Sequence, residues 1–159
     1  ELYQLREFLE SSLVGSIIDR LTGADIERCR AILDEWEETL RQDRSHTSHD
    51  REFHQVLYGS AGNQLVQKIV DISWVAYSIS EVKVLELNEE NFDLRTREKD
   101  LHLHRQLLEA IARGDRVEAR KMMLRHFEGI HARLSEAFGV RGRSTVSPED
   151  ATGEVEVLP

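Results

Sequence analysis

The chain has 159 residues, 40% hydrophobic and 32% charged, enough for one domain with a real core and too apolar for global disorder. Its net charge of −9 argues against nucleic-acid binding by this chain alone, because phosphate contacts need clustered Lys and Arg. No apolar run approaches the ~20 residues of a membrane span, and no signal-peptide pattern opens the sequence. The single Cys29 cannot form an internal disulfide, so a cytoplasmic setting is expected.

The first residue is Glu1, and the sequence opens inside an amphipathic pattern with no preceding cap. It therefore reads as a fragment whose upstream part is missing. Apolar spacing predicts six helices, and strand-like alternation is absent from the first 139 residues. The first covers residues 1–21, with Leu2, Leu9 and Leu13 on one stripe. Arg6 lies on that stripe. It either faces a cavity, where its guanidinium fork would match a carboxylate, or forms a surface pair with Glu10 worth only ~0.3–0.5 kcal/mol.

The second helix runs from Ala24 to Leu40 through Ile26, Cys29, Leu33, Trp36 and Leu40, with Thr22 and Asp25 placed as a capping box. The third, Ser48 to Tyr58, carries "DREFH". Asp50 and His54 stand four residues apart, on the face that also holds Phe53 and Leu57. The fourth starts at Asn63 and continues to Leu85, with Leu65, Ile69, Ile72, Ala76 and Ile79 as its stripe. Asn63 reads as a helix N-cap first and a ligand contact second. The fifth runs from Asn91 to Ala112, and the sixth from Asp115, with Glu118 at capping-box spacing, to Gly139. Short connections make consecutive helices antiparallel neighbours, so the expected fold is an all-α antiparallel bundle. Residues 140–159, rich in Gly, Ser, Thr, Pro and Glu, read as a tail.

Three of the seven histidines share faces with apolar residues. His54 goes with Phe53 and Leu57, His104 with Leu107, Leu108 and Ile111, and His126 with Met122, Met123 and Ile130. His102 sits on a solvated face, His46 and His49 lie in or beside a polar loop, and His131 is one residue past the sixth helix's stripe. Any one inward histidine is more often a core imidazole bonded to a carbonyl. Three of them plus an inward aspartate would cost several kcal/mol if left unpaired, and one divalent cation satisfies all four. Imidazole and carboxylate donors suit zinc first, and nickel, iron or manganese as well. Asp100, four before His104, could replace Asp50, orient an imidazole, or be a solvated helix charge; the solvated charge is the preferred reading.

The ordered segments "LREFLE" (5–10), "DREFH" (50–54), "AGNQL" (61–65), "HRQLLEAIARGD" (104–115) and "MMLRH" (122–126) resemble the C-terminal effector (FCD) domain of FadR-type regulators in the GntR superfamily. The resemblance covers about residues 1–138, and implies an FCD-type ligand-binding and dimerisation domain over 1–139. It further implies a homodimeric helical bundle and a divalent metal held by an Asp and three His, matching Asp50, His54, His104 and His126. A small organic-acid effector would bind beside the metal, with Arg6 and Asn63 as candidate contacts. A winged helix-turn-helix domain, absent from this chain, would precede it and bind DNA. Leu103 departs from the acidic residue that often precedes the fifth-helix histidine and leaves the four ligand positions intact.

Two other functions compete. A metalloenzyme would need a base beside the metal, but Glu52 should point away from His54 and no His-Glu-x-x-His motif occurs. A purely structural metal module would have a closed coordination sphere, whereas a sensor would have an inward Arg6 and a roomy polar cavity. The sensor, with no turnover, is the leading expectation.

Overall fold

A computed structural model describes residues 2–42, 47–87 and 94–137. His46, the expected helix start at Asn91, the 140–159 tail and the side chains of Leu2, Ala76 and Ile79 lie outside the described residues. All six elements are helices: α1 (Leu2–Arg20), α2 (Gly23–Arg41), α3 (Thr47–Ser60), α4 (Gln64–Leu87), α5 (Leu94–Ala112) and α6 (Arg116–Ala137).

The starts and stops follow local chemistry. Thr22 and Asp25 form both halves of a capping box at the head of α2. Asn63 Oδ1 accepts from the backbone N–H groups of Leu65 and Val66, so α4 begins where a good N-cap is available. Asp115 does the same for α6 by accepting from the Glu118 N–H. Between α5 and α6, Gly114 takes φ 72° while the Asp115 N–H bonds back to the Ala110 carbonyl, a Schellman stop that a side chain would strain.

Cross-helix pairs fix the directions. Arg116 reaches the Gly15 carbonyl and Asp19, while His131, fifteen residues on, meets Glu7; α1 and α6 are therefore antiparallel. Arg105 bonds Asp34 and Glu37, and Arg30 faces Glu109, which runs α2 against α5. Asp100 pairs with Arg133 while His104 lies against His126, which runs α5 against α6. The core between them is built on Trp36, Phe53, Leu57, Trp74, Leu107, Leu108, Met123 and Phe127.

Two stripes differ from expectation. On α4, Leu65 and Ile72 are exposed, while Val70, Ser73 and Trp74 are buried. The helix is apolar on more than one face, so spacing alone leaves its rotation ambiguous, and burying the large Trp74 ring decides it. On α1, Leu9 and Leu13 are half-buried, and the innermost side chains are Arg6, Glu10, Val14 and Ile17. The end of α1 nearest the chain start is thus polar inside, with Leu5 and Phe8 outside.

Candidate metal centre

Four of the six candidate site residues meet in the middle of the bundle. Helix α3 supplies Asp50 and His54 from successive turns, α5 supplies His104 and α6 supplies His126. One donor atom from each lies within 4.8 Å of all the others. His54 Nε2 is 3.2 Å from His104 Nε2, and Asp50 Oδ1 is 3.3 and 3.0 Å from those two nitrogens. Donors ~2.0–2.1 Å from one ion stand about 3.0–3.4 Å apart, so this trio already has the spacing of a coordination sphere. The three imidazoles are all but fully buried and Asp50 is 9% exposed.

The fit of a cation can be tested on the donors themselves. His104 Nδ1 is 2.7 Å from the Asp100 carbonyl, which can only accept, so Nδ1 carries a proton and, in the neutral ring, Nε2 offers a lone pair. Neither ring nitrogen of the buried His126 has a hydrogen-bond partner. Unsatisfied buried nitrogens are costly, and a metal bond is the natural remedy. Charge points the same way: Asp50 and Glu10 are two buried carboxylates against the single guanidinium of Arg6. The residues therefore fit a divalent ion.

Burial pushes the Asp50 carboxyl up, but hydrogen bonds and charge from His104 and His54 outweigh it and hold the group well below the usual range. Burial pushes His104 down, but Asp50 outweighs it and raises that imidazole. His126 falls well below the ordinary histidine value, first through burial and then through its imidazole neighbours, and stays neutral. Removing its nitrogens should reverse sign with metal. Chelated His126→Leu should be about 1–3 kcal/mol more stable than chelated wild type, and less stable than wild type once metal is supplied, read in paired denaturant melts.

Arg6 is paired and buried at once. It forms the i,i+4 pair with Glu10, Nε to Oε1 2.8 Å, but the pair is buried at 1% and 0% exposure rather than on the surface. Its guanidinium lies over the Trp74 ring, 4.1 Å from the centroid. Glu10 also accepts from the Tyr58 hydroxyl, which lies 2.8 Å from His54 Nδ1. The site thus gains Glu10 and Tyr58 as contacts. Asp50, His54 and Tyr58 share one helix face at four-residue steps, a signal available in the sequence.

The structure does not gather Asn63 with the others. It is exposed and its Oδ1 is committed to the α4 cap. Asp100 is half-buried: its carboxylate meets Arg133 and its carbonyl orients His104, whereas a solvated charge was expected. Glu52 and His102 are exposed. Three large clefts among the described residues lie apart, of about 810 Å³ between α2 and α5, about 850 Å³ between α5 and α6 and about 770 Å³ along α6, and no donor of the cluster lines any of them.

No helix among the described residues is long and apolar enough to cross a membrane. Comparison with known proteins agrees with this architecture. The FCD domain family matches residues 1–129. The Uxu operon regulator of Haemophilus influenzae is 30% identical over 141 residues, which are 86% of this chain and 51% of that protein. The chain thus spans about half the length of the curated relative it matches. Two solved structures share the fold. Streptococcus agalactiae GntR has a TM-score of 0.64 and 21% identity over 84% of this chain and 57% of its own. E. coli McbR/YncC has a TM-score of 0.76 and 16% identity over 87% and 64%. A helical bundle with an Asp–His₃ cluster at its centre and a match along most of its length therefore belongs to the FCD domain family.

Proposed function

We propose that this chain is the sensing half of a transcription regulator. In this reading Asp50, His54, His104 and His126 hold one divalent ion, zinc in the first instance. A small organic acid binds beside it, and binding biases a DNA-binding domain attached before residue 1. The observation that carries the reading is the convergence of three buried imidazoles and one carboxylate, with His126 lacking any other partner. That a relative is named an operon regulator supports transcription control as the purpose.

When bound, the ion would supply a residual charge of about +1 after the Asp50 carboxylate, and positions for oxygen donors beyond the four protein ligands. Arg6 adds a guanidinium close by, but one already shared with Glu10. Arg6 would therefore be a secondary anion receptor beside the four residues that hold the ion. An acid can shift the helices only by preferring one arrangement of them over another.

Burial favours a second reading. The imidazoles pack among Trp36, Phe53 and Trp74, with ring centroids 4.8 to 5.6 Å apart, which suits a purely structural metal module. Calorimetry separates the two after elemental analysis has established the metal. One member of a panel of hydroxy acids, keto acids, sugar acids and dicarboxylates should bind the loaded protein at micromolar to millimolar strength, ~4–8 kcal/mol, and not the stripped one. Metal-dependent stability without binding of any acid would support the structural module. An acid that binds stripped, folded protein equally well would remove the metal from the effector site.

Homodimerisation belongs to the same proposal. Leu5 and Phe8 on α1, and Leu65, Ile72 and Val75 on α4, are exposed apolar side chains on two helices that pack together. A second copy of the chain would cover them. Phe8→Lys with Ile72→Lys should convert a dimer to a monomer in light scattering; a mass unchanged by both lysines would place any interface elsewhere.

A further inference from the structure

The layer behind His54 decides whether the cluster is ready for a cation or satisfied without one. His54 Nε2 faces Asp50 Oδ1 at 3.3 Å and His104 Nε2 at 3.2 Å. If His54 carried its proton on Nε2, it could donate to either, and the cluster would close on itself. If the proton sits on Nδ1, two bare nitrogens and a carboxylate oxygen converge, an arrangement that calls for a cation.

The hydrogen bonds on the far side of the ring choose between these. A phenol has one proton, and Tyr58 gives it to Glu10 Oε2. Glu10 is held for this task, because its other oxygen accepts from Arg6 Nε. The Tyr58 oxygen therefore turns a lone pair toward His54 Nδ1, 2.8 Å away. Two facing lone pairs would repel, so Nδ1 bears a hydrogen, and in the neutral ring Nε2 is then bare. Arg6, Glu10, His54 and Tyr58 are each 0–2% exposed, so water cannot easily substitute for any link. Tyr58 lies on the same helix as His54, but Glu10 comes from α1. The state of a ring on α3 is thus set by a carboxylate that another helix delivers.

We propose that Tyr58 and Glu10 are positioning residues of the metal centre, holding His54 as the tautomer that presents a lone pair, not a proton, to Asp50 and His104. This rests on the metal reading above, but its primary readout needs no metal. Nitrogen-15 NMR of the imidazoles in chelated protein at pH 8 should show His54 protonated at Nδ1. Tyr58→Phe should shift His54 toward the Nε2-protonated form and weaken zinc binding by ~10–100-fold in chelator competition. Should Tyr58→Phe not fold, Glu10→Gln provides the second variant, with the same direction expected in both readouts. Wild-type His54 protonated at Nε2, or a variant that loses the hydrogen bond while keeping tautomer and affinity, would overturn the proposal. Wild type that binds no zinc yet shows the Nδ1 tautomer would sink the metal centre and confine Tyr58 and Glu10 to tautomer control alone.

Discussion

His54→Ala and His104→Ala should each abolish stoichiometric metal binding, with a loss in affinity beyond the ~10–100-fold typical of outer contacts. Both nitrogens sit at the centre of the donor set, 3.2 Å apart, so neither has a neighbour that could replace it. At free metal a thousand-fold above its dissociation constant, wild type gains about 4 kcal/mol of stability that the variants should lack. Melting curves with and without chelator would show this as a gap present in wild type and missing from the variants. Acid should close the same gap. Protons compete for the imidazole lone pairs, that of His104, whose pKa lies above its ordinary 6.5, among them. In chelated protein the two shifted histidines act oppositely. His126, held below 6.5, contributes stability present above that value and lost as pH falls through its folded pKa. His104 contributes stability present below 6.5 and lost as pH rises through its raised pKa. His126→Leu should therefore flatten the acid limb of the chelated protein's stability curve and leave the alkaline limb unchanged; an unaltered acid limb would contradict the assignment.

Breaking the Arg6–Glu10 pair should produce the largest loss that does not involve the metal directly. Both groups are buried, and removing one partner from such a pair leaves a charge uncompensated, at a cost of about 3–5 kcal/mol. Arg6→Met should show that loss in urea melts of chelated protein. The double variant Arg6→Met, Glu10→Leu should recover much of it, because two apolar side chains no longer strand a charge. A loss in the double variant equal to the sum of the losses in Arg6→Met and Glu10→Leu alone would mean that the pair is not coupled. This behaviour also governs how an effector experiment is read. Arg6→Ala would weaken acid binding and destabilise the fold together, so effector affinity has to be measured at saturating metal and where the variant is fully folded.

Much of this was legible in the sequence, for physical reasons that differ by element. Asp50, His54, His104 and His126 could be picked out as a cluster because a polar residue on an apolar helix face must find a partner, and the fold brings these four, from three helices, together. The caps at Thr22, Asn63 and Asp115 were legible because short polar side chains satisfy orphan N–H groups in one geometry. The rotation of α4 was not, because nearly every face of it is apolar, and only packing shows that Trp74 turns inward while Leu65 and Ile72 turn out. The Arg6–Glu10 spacing was visible, but its burial was not: i,i+4 pairs look alike on a solvated face and in a core. Tyr58 could have been flagged four residues beyond His54. Its hydrogen bond to Glu10 spans 48 residues and required the tertiary fold.

One divalent ion should sit among Asp50, His54, His104 and His126. Anomalous diffraction at the absorption edge of the co-purified metal would reveal it. A single strong peak per chain is expected, within bonding distance of an Asp50 oxygen and of one nitrogen from each of the three histidines. A strong peak elsewhere in the chain, or a clear map in which metal-supplied crystals show these four side chains bonded to one another with no peak between them, would contradict it.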